Sequence, residues 1–268
     1  MHTRASLAGD FRRLGIAPGD TVMLHASVRR IGPVAGGPDQ IHLALKDALT
    51  EAGTLMMYAS CPEHYDEVGR GHLSAEQERE LLESLPPFDA ATARSARDNG
   101  ALVELLRTWP ASLVNDHVAR FVVWGRHARH LISTQPWDWA FGRGSALDRL
   151  VELDGRILLL GSDTDAVTFL HYAEHVVDVP DKRVVRFKVP VLEDGRRVWR
   201  DMAEFDTSQP AHASWPERLF GEIVEGYLTM TGNNGALVGN ARSYLLDARG
   251  LLARSMQVMQ EKAICRSP

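Results

Sequence analysis

A histidine with a carboxylate one helical turn away can take up and pass on a proton near neutral pH. The segment Leu170-His171-Tyr172-Ala173-Glu174-His175 offers such a pair. Residues three and four apart share a helix face, so His171, Glu174 and His175 point roughly one way on a helix. Three chemistries fit. His171 can be a hydrogen-bonded structural histidine with Glu174 as a surface charge. His171 and His175 can be zinc ligands with the glutamate as base, because H-x-x-E-H is the inverzincin pattern, although that site needs a third protein ligand from elsewhere. Or His171 can be a general base that accepts the proton an attacking amine must lose, while Glu174 orients the imidazole or holds the substrate ammonium. The segment by itself leaves the three open.

A second group is His25-Ala26-Ser27, followed by Arg29, Arg30 and the run Gly32-Pro33-Val34-Ala35-Gly36-Gly37-Pro38. Glycines let backbone amides approach an anion, and arginines suit phosphates. The pyrophosphate and 3′-phosphate of coenzyme A would require such a surface. The run is neither a Walker loop nor a G-x-G-x-x-G fingerprint, so a plain turn beside two solvated arginines is the competing reading. Cys61 follows a strand, but nothing near it in sequence favours a thiolate, and it reads as a structural thiol.

The elements that must position these groups alternate between strand and helix. Thr3 caps a helix carrying Leu7, Phe11 and Leu14. Thr21 to Leu24 reads as a buried strand that delivers His25-Ala26-Ser27 to its carboxyl end. Asp39 opens a helix with Ile41, Leu45 and Leu49 inward, and Thr54 to Ala59 is a second strand. Residues 60–99 are polar and rich in proline, with one helix near Ala75 to Leu85; they are either a substrate-covering excursion or a surface insertion. Helices are expected near 100–107 and 125–132, and a strand at Phe121 to Trp124. Trp137, Trp139 and Phe141 form an aromatic loop, and Ser145 caps a short helix. Arg156 to Leu160 is an apolar strand leading into a helix over about 165–177. A hairpin joins 183–191 to 197–205 through Asp194-Gly195. A helix over 215–227, a turn at Gly232-Asn233-Asn234-Gly235, a strand at Tyr244 to Leu246 and a helix over 248–261 complete the chain. This pattern implies an α/β fold with a mixed sheet covered by helices on both faces, and no linker divides it, so residues 1–268 are expected to be one domain.

Composition narrows the functions. The 268 residues are 44% hydrophobic and 24% charged, as in ordinary globular proteins. A formal net charge of -5 argues against a general nucleic-acid binder. Cys61 and Cys265 show neither disulfide-framework nor metal-ligand spacing. With no apolar segment long enough to span a bilayer and no apolar leader, a reduced cytoplasmic setting without membrane attachment is expected.

Taken together, the segments resemble the aminoglycoside 3-N-acetyltransferase family. The resemblance runs through Met23-Leu24-His25-Ala26-Ser27, Ile31-Gly32-Pro33-Val34-Ala35-Gly36-Gly37-Pro38 and Gly53-Thr54-Leu55-Met56. It continues through Pro87-Phe88-Asp89, Asn99-Gly100, Leu158-Leu159-Leu160-Gly161 and Val167-Thr168-Phe169-Leu170-His171-Tyr172-Ala173-Glu174. It then takes in Val179-Pro180-Asp181-Lys182-Arg183, Phe205-Asp206-Thr207-Ser208 and Val238-Gly239. It implies a three-layer α/β/α fold with a central mixed sheet, distinct from the GCN5-related acetyltransferases. It also implies acetyl transfer from acetyl-CoA to the 3-amino group of an aminoglycoside antibiotic, conferring resistance, with no metal. The partner would be an aminoglycoside or another polyamine small molecule; oligomeric state is not legible.

Carried over by position, His171 matches the family's catalytic histidine, Glu174 the carboxylate beside it, and His25 a second histidine close to the reacting centre. Ser27, Val28, Arg29, Arg30, Ile31, Gly32 and Val34 match the stretch that lines the coenzyme. Tyr58, Glu63, Asp163 and Asp206, with Glu174, are candidates for the aminoglycoside side. Where many members have R-S-x-H-P-x-x-S or R-S-x-N-P-x-x-S, this chain reads Leu113-Val114-Asn115-Asp116-His117-Val118-Ala119-Arg120. The proline is missing and Arg120 replaces a small polar residue, which bears on substrate range. The alternatives are the same chemistry on a biosynthetic amine, and a zinc hydrolase built on His171 and His175.

Overall fold

The computed structural model describes residues 1–264; Cys265 lies outside them. Among these residues the strands are β1 (Thr21–Ala26), β2 (Thr54–Tyr58), β3 (Leu113–Val114), β4 (Phe121–Gly125), β5 (Arg156–Leu160), β6 (Val184–Glu193), β7 (Arg196–Phe205), β8 (Ala236–Val238) and β9 (Ala241–Asp247). The helices are α1 (Arg4–Leu14), α2 (Val28–Ile31), α3 (Asp39–Leu49), α4 (Ala75–Ser84), α5 (Ala101–Arg107), α6 (Ala128–Leu131), α7 (Ala146–Glu152), α8 (Phe169–Val176), α9 (Leu219–Thr231) and α10 (Ala248–Ile264).

Seven strands form one mixed sheet in the order β3-β4-β2-β1-β5-β9-β8, and β6 pairs with β7 as a separate hairpin. β1 lies parallel to β2 on one side and to β5 on the other, with Leu24 opposite Leu158 and His25 opposite Leu159. β4 and β9 run antiparallel at the flanks. The carboxyl ends of three adjacent parallel strands therefore open on one edge. The chain leaves β1 toward β2 in one direction and reaches β5 in the other, and α/β sheets bind ligands at such a switch point.

Side chains alternate across a strand, and here both faces are covered, so the central strands are apolar throughout. Val22, Leu24, Leu55, Leu158 and Leu160 pack on the side of α1, α3 and α5, with Phe11, Leu45 and Leu102. Met23, Met56, Ile157 and Leu159 pack on the other side, with Leu131 of α6, Leu147 of α7, Phe169 of α8, Ile223 of α9 and Leu251 of α10. This is the three-layer α/β/α arrangement expected from the sequence.

Element ends differ where tertiary contacts compete with local pattern. α8 starts at Phe169 rather than near Asp165, because Asp165 is drawn to another helix: its Oδ1 accepts from Gly221 N at 2.6 Å, in the first turn of α9. The residue before α9, Arg218, gives no side-chain cap, so a distant carboxylate supplies one. α9 starts at Leu219 rather than Trp215, and α6 is confined to Ala128–Leu131. β3 and β8, with two and three residues, are too short to show alternation in the sequence.

Residues 60–99 lie on the β6–β7 hairpin. Cys61, Phe88, Ala90 and Val118 pack with Phe187, Val189, Val191 and Met202 in a small separate cluster. Phe88 N donates to Pro190 O at 2.6 Å, and Lys188 N to Val68 O at 2.8 Å. The 113–120 loop ties this layer to the sheet from within. His117 is buried; its Nδ1 accepts from Ala119 N at 2.9 Å and its Nε2 donates to Trp137 O at 3.2 Å. Arg120 is fully buried. Its guanidinium donates to the carbonyls of Ala90 at 2.6 Å, Ala93 at 2.8 Å and Arg94 at 2.9 Å. Burial pushes its pKa down to about 10, and carbonyl oxygens satisfy the cation in place of a carboxylate. Arg120→Ala leaves three inward carbonyls without a donor. It is expected to cost about 3 kcal/mol and to speed proteolytic cleavage within 62–99; an unchanged melting temperature and cleavage pattern would show that the guanidinium holds nothing.

Candidate active site

Two turns of α8 carry the histidine–glutamate pair. Phe169, Leu170, Tyr172 and Ala173 face the core, which leaves His171 and Glu174 together on the edge above the strand ends. His171 Nδ1 and Glu174 Oε2 are 2.7 Å apart. Glu174 is buried and His171 remains partly exposed. A carboxylate accepts only, so Nδ1 carries the proton and Nε2 keeps its lone pair. The ring is wedged between Phe141, at 5.3 Å between centroids, and Phe220, at 5.0 Å. Lys182 Nζ donates to the carbonyls of Glu174 at 2.7 Å and Val177 at 2.9 Å, closing the carboxyl end of α8.

His175 is committed elsewhere. Its Nδ1 donates to His171 O at 2.7 Å, and its Nε2 bonds the Glu204 carboxylate from β7. With both ring nitrogens engaged, His175 does not turn a lone pair toward His171. The H-x-x-E-H spacing therefore does not assemble the two-histidine ligand pair that a zinc hydrolase requires.

His171 stands where two cavities meet. The larger, 730 Å³, runs along the 207–217 loop and includes Glu174, Arg183, His212 and Trp215. The smaller, 280 Å³, lies over the strand ends and includes His25, Tyr58, Asn99, Ser162 and Thr168. Asp165, His171 and Phe220 belong to both walls. A site open on two sides, with a histidine lining both, suits a reaction between two separately bound molecules.

The remaining candidates from sequence are distributed as follows. His25, at the end of β1, lines the smaller cavity; its Nε2 is buried without a hydrogen-bond partner, and loss of hydration pushes its pKa down to about 4. Ser27 N donates to Leu160 O at 2.9 Å and starts the single turn of α2. Val28 is half-buried, Arg29 is exposed, and the Ile31 side chain lies in the core. Arg30 Nη1 donates to Gly161 O and to Asp163 Oδ1, each at 2.7 Å, so Asp163 pairs with an arginine and lines neither cavity. Gly161 has φ +63, and a Cβ there would come within 2.8 Å of Ala241 Cβ, so the turn that follows β5 admits no side chain. Gly32 packs against Asn240, and Val34 bridges to His2. Tyr58 closes the smaller cavity at the end of β2, its hydroxyl 3.2 Å from Ser60 Oγ. Glu63 is exposed and lines neither cavity. Asp206 is buried and accepts from Ser208 N and Oγ, shaping the loop whose Thr207 and Ser208 line the larger cavity. Cys61 is buried, and burial followed by the nearby Asp66 charge pushes its thiol pKa up.

Sequence reasoning missed Phe220, Ser162 and Asn99. Ser162 follows Leu158-Leu159-Leu160-Gly161 directly, so its position after a strand was a usable signal. Asn99 lies at the end of the polar 60–99 stretch, where no periodicity marks it.

Fold and site together define an α/β enzyme in which a histidine–carboxylate pair faces two adjoining cavities. Residues 23–260 match the family described as aminoglycoside 3-N-acetyltransferase. An aminoglycoside N(3)-acetyltransferase III of Pseudomonas aeruginosa is 40% identical over 262 residues, covering 97% of this chain and 94% of that protein. A solved structure of AAC-IIIb in binary complex with CoASH superposes with a TM-score of 0.91 at 38% identity, covering 97% of each chain. One of AAC-VIa bound to sisomicin gives 0.89 at 30% identity, covering 97% of this chain and 98% of that one. The chain belongs to the aminoglycoside 3-N-acetyltransferase family.

Burial also makes the fold sensitive to acid. Desolvation lowers the pKa of His25, His42 and His117 to about 4, with Lys46 adding to the effect at His42. The unfolded chain, titrating near 6.5, binds protons that the folded chain excludes. Their contribution to stability is complete above about pH 6.5 and is lost as pH falls toward about 4. Denaturant melts between pH 7 and 5 are expected to show falling stability with uptake of up to three protons on unfolding; a flat profile would contradict the assignment.

Proposed function

We propose that the chain acetylates the 3-amino group of an aminoglycoside by direct transfer from acetyl-CoA, with His171 as general base. The observation that carries this reading is the His171 ring itself. Glu174 holds Nδ1 at 2.7 Å, which leaves Nε2 free on a residue that lines both cavities. The relatives crystallised with CoASH and with sisomicin support a coenzyme and an aminoglycoside as the two molecules that meet there. Asp165, Glu174 and Glu217 on the wall of the larger cavity suit a polycation.

In the reaction, neutral His171 takes a proton from the substrate ammonium, directly or through a water. The freed amine attacks the thioester carbonyl carbon. The tetrahedral intermediate loses the second amine proton to solvent, then collapses and expels the coenzyme thiolate, which recovers a proton from the imidazolium. No bond to the enzyme forms, in keeping with the buried Cys61. Glu174 keeps the imidazole in the useful tautomer and stabilises its charged form.

Thiol release from acetyl-CoA with a panel of gentamicin, kanamycin, neomycin and apramycin tests this. His171→Ala is expected to lower kcat by about 10²–10⁴, with coenzyme affinity retained. Glu174→Gln, which keeps the shape but loses the charge, is expected to lower kcat by less than loss of the histidine does. A His171→Ala enzyme turning over at the original rate would remove the general base.

A further inference from the structure

Three side chains on the wall of the 280 Å³ cavity carry a buried polar atom with no hydrogen-bond partner: His25 Nε2, Asn99 Nδ2 and Ser162 Oγ. Buried polar groups in proteins are nearly always paired, and the exceptions cluster where a ligand or water completes them. Each of the three can donate: an amide N–H, a hydroxyl and, because His25 is held neutral, one imidazole N–H. Each comes from a different element at the carboxyl edge of the sheet. His25 ends β1. Ser162 follows the Gly161 turn, which Arg30 holds by the Gly161 carbonyl and the Asp163 carboxylate. Asn99 ends the excursion, where Ala96 N bonds Ala59 O at 3.2 Å and Gly100 packs toward Ala26 O. The same wall includes His171.

We infer that Asn99 and Ser162, with His25 behind them, donate hydrogen bonds to the acetyl carbonyl oxygen of the thioester and hold it as it becomes an oxyanion. This rests on the transfer proposed above and adds two catalytic residues to it. As the amine nitrogen bonds to the carbonyl carbon, the π pair moves onto oxygen, where these donors receive it. When the C=O bond re-forms, the C–S bond breaks and the pair leaves with sulfur. Of the two protons the ammonium loses, one has gone to solvent, and the other, on His171 Nε2 by then, passes to the thiolate. Donors fixed before the substrate arrives stabilise the charge without reorganising, and loss of one from such a site lowers kcat by about 10²–10³. No protein group competes for these donors, so a bound carbonyl oxygen can take their hydrogen bonds. The 60–99 stretch thereby reaches the cavity through Asp98 and Asn99.

Asn99→Leu and Ser162→Ala remove the donors with little change of volume. Each is expected to lower kcat by about 10²–10³ while the dissociation constant of coenzyme A, measured by calorimetry, changes less than threefold. Because the groups bond no other protein group, melting temperatures are expected to hold or rise; a structural role would lower them. The carbonyl stretch of [1-¹³C]acetyl-CoA, measured by difference infrared spectroscopy in a His171→Ala background where turnover is slow, is expected at lower frequency than in water. Adding either substitution should move it back up. An unshifted carbonyl band, unchanged kcat, or loss of coenzyme A affinity matching the loss of kcat would overturn the oxyanion assignment. Failure of the general base would appear separately, as normal turnover in His171→Ala with the carbonyl band still shifted. Absence of acetyl-CoA binding to the unsubstituted enzyme would overturn both.

Discussion

The parallel pairing of β1 with β5 is the constraint from which the site follows. It sets His25 opposite Leu159 and Ala26 opposite Leu160. The chain leaving β5 must then turn at the level where β1 ends. Gly161 makes that turn in a conformation closed to other residues, and Arg30, one turn beyond β1, grips both Gly161 and Asp163. The turn fixes Ser162, and the next residues carry the chain into α8, so His171 returns over the strand ends. If the register slipped by one residue, the apolar faces of both strands would be inverted, and His25 would no longer share a cavity with His171.

Polar groups near the site fall into two kinds. His117, His175, Asp165, Asp206 and the terminal nitrogens of Arg120 have their partners within the protein and hold loops and helix ends in place. His171 Nε2, His25, Asn99 and Ser162 keep unspent hydrogen-bonding capacity, and all four residues border one cavity. Unpartnered buried atoms also occur at His42, Lys46, Ser112 and Asn115, so what distinguishes this wall is that three such groups gather around one cavity beside His171. Two histidines one turn apart on α8 differ in pairing: His175 is scaffold and His171 is available.

The departures of this chain from its family's common pattern are also explained by packing. Arg120 and His117 turn inward, to three carbonyls and to the 117–119 and 137 backbone, so the altered 113–120 loop anchors the 90–94 backbone of the 60–99 stretch. The acids at 163–165 divide their work between pairing Arg30 and capping α9. Asp165 alone also borders both cavities.

The sequence by itself determined the alternation of strand and helix, the apolar central strands and the placement of His25-Ala26-Ser27 at a strand end. It also determined the His171–Glu174 pair, because these depend on local periodicity and on spacing within one element. The tertiary structure alone decided which candidates meet. The start of α8 moved to Phe169 because the acid that would have begun it bonds Gly221, 56 positions away. Asp163 went to Arg30 and Asp206 to its own loop, and His175 was taken up by Glu204 from β7. Asn99 arrived at the strand ends from a stretch with no readable pattern. These outcomes depend on pairings between residues far apart in the chain, and their energies are settled only when both partners have been brought out of water together.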